Sequence, residues 1–211
     1  MEQSARAAAN RQFFNDRAVG WSERCWGDKL RAGGIEAKLE RLFAAAAIPA
    51  ARRILDVGAG DGFLVPFLLP RLAPAAVLTE VDVADRMIAE NQKRHPDPRL
   101  RFLVADASSL ETADRYDAIL AFSCFPHFAD HAGTIRHLGG LLAPGGRLAV
   151  CHLQSSAEMN HFHRGAHPEV SNHELPAAAA LSRLFTAAGL TVAAAVDEPG
   201  FYLVLGQRPN S

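Results

Sequence analysis

From Arg53 onward the chain alternates short apolar runs with stretches of helical period. The runs are RILDVG (53–58), AVLTEVDV (76–83), LRFLVAD (100–106), YDAILAFS (116–123) and GRLAVCHL (146–153). Near-continuous apolar runs between helices predict a parallel sheet covered on both faces. The intervening helices are read at Asp61 to Leu68, Ala84 to Arg94, His131 to Leu142, and from Pro176 to the stop at Gly189. Pro144-Gly145-Gly146 suits the turn into the fifth strand. LTVAAAV (190–196) and FYLVLGQ (201–207), on either side of Asp197-Glu198-Pro199-Gly200, read as an antiparallel hairpin.

Two regions break the alternation. Residues 1–48 lack a period of two and read as helices at Ala5 to Arg17 and Ile35 to Ala47, with a polar break between them that carries Trp21, Trp26 and Gly27. Residues 153–175 read as a long polar connection holding His161, His163, His167 and His173. A connection of that length inside a compact domain is usually functional. No repeat or linker divides the chain, so 1–211 is expected to be one domain.

Composition narrows the function classes. Lys and Arg number 22 against 23 Asp and Glu, leaving a net charge of −1 and no basic excess to neutralise a phosphate backbone. Nucleic acid is therefore not the expected partner. No apolar run reaches the roughly 18 residues that span a bilayer, and the start is polar, so a cytoplasmic protein without a membrane partner is expected. Cys25, Cys124 and Cys151 lack C-x-x-C spacing and read as reduced thiols, Cys124 and Cys151 as buried packing residues.

The run Ile54-Leu55-Asp56-Val57-Gly58-Ala59-Gly60-Asp61-Gly62-Phe63 is a buried strand entering a glycine turn and a helix. Missing side chains there let a ligand approach the backbone, where helix N-terminal N–H groups are free. The dinucleotide pattern G-x-G-x-x-G would need a glycine where Phe63 stands, which disfavours a nicotinamide enzyme. The pattern present, D-x-G-x-G-x-G, resembles motif I of the class I S-adenosylmethionine-dependent methyltransferases. Val81-Asp82-Val83-Ala84-Asp85-Arg86-Met87-Ile88, Val104-Ala105-Asp106-Ala107 and Leu141-Leu142-Ala143-Pro144-Gly145-Gly146 resemble further motifs of that family, in the family's order.

The resemblance implies a Rossmann-like doubly wound α/β sheet of seven strands in the order 3-2-1-4-5-7-6, the last strand antiparallel, with N-terminal helices. It also implies S-adenosylmethionine as cofactor. Asp82 would accept hydrogen bonds from the ribose hydroxyls, which suits a carboxylate's bidentate geometry. Asp106 and Ala107 would meet the adenine amine. Asp56, Gly58, Ala59, Gly60, Val83 and Phe122 complete the expected cofactor set, and residues 1–48 would form a lid.

Ligands of open parallel sheets bind beyond the carboxyl ends of the strands. The fourth strand runs into Cys124-Phe125-Pro126-His127-Phe128 and the fifth ends in Cys151-His152, so His127, His152, His161, His163 and His167 are expected to converge there, with residues 153–175 as a substrate-side insertion. Cys124-Phe125-Pro126-His127 departs from the N/D-P-P-Y/F motif of the family's DNA and protein amine methylators, which turns the expectation to a small-molecule acceptor. His127, His152 and His163 are the candidates to face it. Three readings of the histidines stay open: general base, metal ligands, or a solvated polar loop without chemistry. No metal is predicted, because no ligand spacing matches a named site. The competing function is a cofactor- or metal-binding regulatory protein on the same fold.

Overall fold

The computed structural model describes residues 2–167 and 169–210. Its strands are β1 (Arg53–Val57), β2 (Val77–Asp82), β3 (Leu100–Val104), β4 (Tyr116–Phe122), β5 (Leu142–His152), β6 (Thr191–Glu198) and β7 (Phe201–Gln207). They form one sheet in the order β3-β2-β1-β4-β5-β7-β6. Neighbours from β3 to β5 are parallel, whereas β7 runs antiparallel to both β5 and β6. This is the expected Rossmann-like arrangement. The order reverses between β1 and β4, where such sheets open a crevice.

The helices are α1 (Glu2–Asn15), α2 (Trp21–Ala32), α3 (Ile35–Ala45), α4 (Val65–Leu68), α5 (Asp85–Arg94), α6 (His131–Leu141), α7 (Ser156–Arg164) and α8 (Ala178–Ala187). Because strand side chains alternate, the sheet sends one set to each face. Ile54, Leu120, Ala149 and Leu203 pack with Trp26, Leu39, Phe43 and Leu68 on one side. Leu55, Ile119, Val150 and Val204 pack with Ile135, Leu138, Met159, Leu181 and Phe185 on the other. Among the described residues no helix is long and apolar enough to cross a membrane.

Four local expectations are corrected. The polar break around Trp21 and Trp26 is helix α2, held because Trp26 packs on Phe63 and Phe122 at 5.0 and 5.6 Å between ring centroids. The helix expected from Asp61 is only the single turn α4, because Gly62 sits at φ 85°, outside helical space. Pro144-Gly145-Gly146 lies within the irregular start of β5 and does not itself form a separate turn. Finally, residues 153–175 are not all connection: α7 begins on a capping box in which Ser155 and Glu158 satisfy each other's backbone N–H groups.

Two carboxylates lie side by side in the centre of the sheet, since Asp56 of β1 is the register partner of Glu80 of β2 and both are buried. Asn91 of α5 donates from Nδ2 to Glu80 Oε2 at 2.7 Å, while Oε1 finds no partner. Burial, reinforced by Asp82, raises the Glu80 carboxyl to about 8. The folded protein thus keeps a proton that an unfolded glutamate releases near pH ~4.3. Its contribution to stability is complete below that pH and declines as pH rises toward about 8. Glu80→Gln retains an acceptor for Asn91 and removes the ionisation. Its unfolding free energy should therefore gain on wild type between pH 5 and 8, by at most ~1.4 kcal/mol per pH unit. Parallel pH profiles in urea denaturation would show that Glu80 is ionised in the native state.

Candidate active site

The floor of the cleft is the turn after β1. Gly58 and Ala59 donate their N–H groups to Val81 O at 2.8 and 3.1 Å, pinning the turn to β2. Gly58, Gly60 and Gly62 have φ of 66°, 57° and 85°, the left-handed region that glycine enters freely. At Gly58 a Cβ would stand 2.5 Å from Cys124 Cβ, so the turn and the end of β4 are packed backbone against side chain. Cys124 donates from Sγ to Val57 O at 3.0 Å, and burial raises its thiol well above the ordinary range. Cys151 is likewise buried with its thiol raised, so both behave as packing residues.

Asp82, at the end of β2, accepts from Gly60 N at 2.9 Å and from Ala84 N at 2.8 Å, one bond on each oxygen. Its carboxylate faces the cleft, and with about four lone-pair positions it keeps capacity for further donors. Burial pushes this carboxyl up, opposed by the backbone donors. Beyond β3, Asp106 takes Ser108 N at 2.9 Å and Ser108 Oγ at 2.7 Å. Asp61 ties the turn outward, accepting from Ser22 of α2 and from Arg94 of α5.

A cleft of about 860 Å³, its open mouth included, runs along these residues. Gly58, Gly60, Asp82, Val83, Asp106 and Ala107 line it. Asp56, Ala59 and Phe122 do not reach its wall. Asp56 lies beneath the turn with its carboxyl raised by burial and by Glu80, and Phe122 stacks on Phe63 at 5.6 Å. The roof is α1 with the start of α2: Arg6, Asn10, Phe14 and Trp21. Asn10 donates to His127 O at 2.9 Å, Arg11 to Val83 O at 2.8 Å, and Asn15 to Asp85 Oδ1 at 2.8 Å, so α1 is bonded to both banks.

Of the three histidines expected to face an acceptor, only His127 is on the cleft wall. Its Nδ1 is 2.8 Å from Nδ1 of His173, a hydrogen bond that requires opposite tautomers in the two rings. Burial, then His173, His163 and His152, hold the His127 imidazole well below its ordinary value. His163 is buried behind this pair, with its ring centroid 5.5 Å from that of His127 and its Nδ1 donating to His173 O. His152 is deeper, with both ring nitrogens unpartnered and its imidazole lowered to about 3 by burial and His163. His161 and His167 are exposed and take no part in this cluster. Among the described residues no group of three His, Cys, Asp or Glu side chains is arranged to hold a metal ion.

Sequence reasoning placed His173 in the polar segment without joining it to the cluster, and passed over Arg6, Asn10 and Ser123. Ser123 follows β4 at φ 54°, a strained value for a non-glycine residue, and lines the cleft.

A family model described as "Methyltransferase domain" matches residues 28–195. An uncharacterized methyltransferase of Mycobacterium tuberculosis is 35% identical over 98 residues, covering 46% of this chain and 48% of the relative. The demethylmenaquinone methyltransferase of Thermus thermophilus is 39% identical over 104 residues, covering 48% and 47%. The chain thus spans about half the length of these curated relatives. In fold, it is similar to the N-methyltransferase NodS from Bradyrhizobium japonicum in complex with S-adenosyl-L-homocysteine, with a TM-score of 0.64 at 19% identity over 82% of this chain and 86% of that one. Matched over residues 28–195 and built on a seven-stranded sheet in the order β3-β2-β1-β4-β5-β7-β6, the chain belongs to the methyltransferase domain family.

Proposed function

We propose that the protein transfers a methyl group from S-adenosylmethionine to a small molecule held against His127. The observation that carries this reading is one cleft with two unlike ends. Glycine backbone, Asp82, Asp106 and Ala107 form one, and the half-buried His127 imidazole under the α1 roof, its proton affinity lowered, forms the other. When bound, the cofactor supplies an electrophilic methyl on a sulfonium sulfur. Asp82 would take the ribose hydroxyls on lone pairs that Gly60 and Ala84 leave free, and Asp106 with Ala107 would meet the adenine amine. Gly58 and Gly60 let the ligand reach the backbone, while Asp56, Ala59 and Phe122 support the turn from behind. The relative named for demethylmenaquinone carries a small-molecule acceptor in its name, in keeping with this reading.

His127 serves as the proton acceptor. With Nδ1–H donating to Nδ1 of His173, its Nε2 lone pair is free for the acceptor's proton, and the lowered proton affinity keeps that lone pair available in mildly acid solution. His163 and His152 pack from behind. The α1 roof acts as a lid that parts for the ligands.

Calorimetry tests the cofactor end. Asp82→Ala should weaken S-adenosylhomocysteine by roughly 1.5 to 3 kcal/mol, the size of charge-assisted hydrogen bonds. Amide exchange in α1 should slow when the ligand binds wild type. Unchanged affinity in the variant would remove Asp82 from the site, and unchanged exchange would remove the lid.

The pH profile tests the acceptor end. His127→Gln should abolish most turnover while leaving S-adenosylhomocysteine affinity within about threefold, less than the ~1.4 kcal/mol of a tenfold change. In wild type the acid limb of kcat/KM should fall below pH ~6.5, the ordinary histidine value. His173→Asn removes a neighbour that depresses His127, so the limb should move to higher pH. A limb that stays in place in His173→Asn, or full turnover in His127→Gln, would contradict the assignment.

A further inference from the structure

The acceptor end of the cleft holds donors without acceptors. Arg6 reaches in from α1 and donates from Nη2 to Pro126 O at 2.9 Å, yet its Nε is buried with no partner. No carboxylate pairs with it among the described residues. Ser123 adds a second case: its hydroxyl is buried, unpartnered and on the same cleft, carried by a backbone held at φ 54°. The acids of the cleft wall are engaged elsewhere, Asp82 by Gly60 and Ala84, and Asp106 by Ser108. The Arg6 charge is felt at His127, His131 and His173, all of which burial already holds in their neutral forms. This end of the cleft is therefore positive and rich in donors.

Buried donors left unpaired are costly, so the complement of such a wall is a group that only accepts and carries negative charge. A guanidinium matches a carboxylate in planar geometry, whereas an ammonium group would bring more donors and a repelled charge. We infer that Arg6 is the anchor for a carboxylate on the acceptor, with Ser123 as a second donor, so that the substrates are carboxylate-bearing small molecules. The inference rests on the methyl-transfer reading and names its substrate class. The carboxylate is the handle and not the atom methylated, because donors on an oxygen hold its electrons back from attack. The methylated atom is a separate group that presents its proton to His127.

The same guanidinium chemistry would suit the carboxylate of the cofactor's own methionine part, and the test separates the two. Benzoate, cinnamate and succinate, with their primary amides, are titrated by calorimetry into wild type and Arg6→Gln saturated with S-adenosylhomocysteine, whose own affinity is measured first. At least one carboxylate should bind wild type about tenfold or more tightly than its amide. Arg6→Gln should remove that preference, Arg6→Lys should retain part of it, and S-adenosylhomocysteine affinity should stay within about threefold in both variants. The inference is overturned if no carboxylate binds better than its amide. It is equally overturned if Arg6→Gln weakens S-adenosylhomocysteine itself about tenfold, which would assign Arg6 to the cofactor. Failure of wild type to bind S-adenosylhomocysteine at all would instead strike down the methyl-transfer reading on which the inference stands.

Discussion

The Asp82 carboxylate takes one backbone N–H from each side of the cleft floor, Gly60 on the turn and Ala84 at the head of α5. That pair of bonds fixes where β1 and β2 deliver the chain, and the rest of the site is hung from it. The turn has no slack on its other side, because Cys124 fills the space where Gly58 would carry a Cβ, and Asn91 Oδ1 fills the space where Gly62 would carry one. A close-packed interior transmits such constraints. The ends of β1, β2 and β4 therefore hold one relative position, and the cleft is their shared edge. The same carboxylate that builds the floor also lines the cleft.

Around that floor the protein gathers ionisable groups whose charged forms are disfavoured. Asp56 and Glu80 sit side by side beneath the turn with raised carboxyl values, and His127, His152 and His173 lie on the far side with lowered ones. Both shifts have the same first cause, the loss of water around a charge. A neutral imidazole is able to accept a proton, and Arg6 is the cation near His127. The α1 roof completes this environment by donating Asn10 and Arg6 to the carbonyls of His127 and Pro126.

The sheet was legible in the sequence because its strands are encoded locally. Continuous apolar runs such as RILDV and YDAIL carry their own signal, and the hairpin of β6 and β7 is marked by Pro199-Gly200. The glycine turn and Asp82 were legible because residues 54–63 and 81–88 resemble motifs of a known family. Helix α2 was not, since its polar surface hides a single buried contact of Trp26 with Phe63 and Phe122 that only the fold supplies. Helix α7 carried a readable start in Ser155-x-x-Glu158, masked by the polar residues around it. His173 and Arg6 had no local signal: they reach the site from positions 46 and 120 residues away from their partners His127 and Pro126, a distance that periodicity cannot bridge. His152 and His163 were placed at the correct edge, but alternation along β5 and the inward face of α7 bury them behind the wall.

Methyl transfer by this cleft onto a small molecule leaves a product that can be detected. Incubation with S-adenosylmethionine carrying a trideuterated methyl group and an ultrafiltered cell extract, followed by mass spectrometry, tests it directly. The expected result is a trideuteromethyl group on a low-mass compound, formed in step with S-adenosylhomocysteine and absent without the protein. Tight cofactor binding with no S-adenosylhomocysteine formed above the protein-free control would contradict it and mark the chain as a binder on the methyltransferase fold.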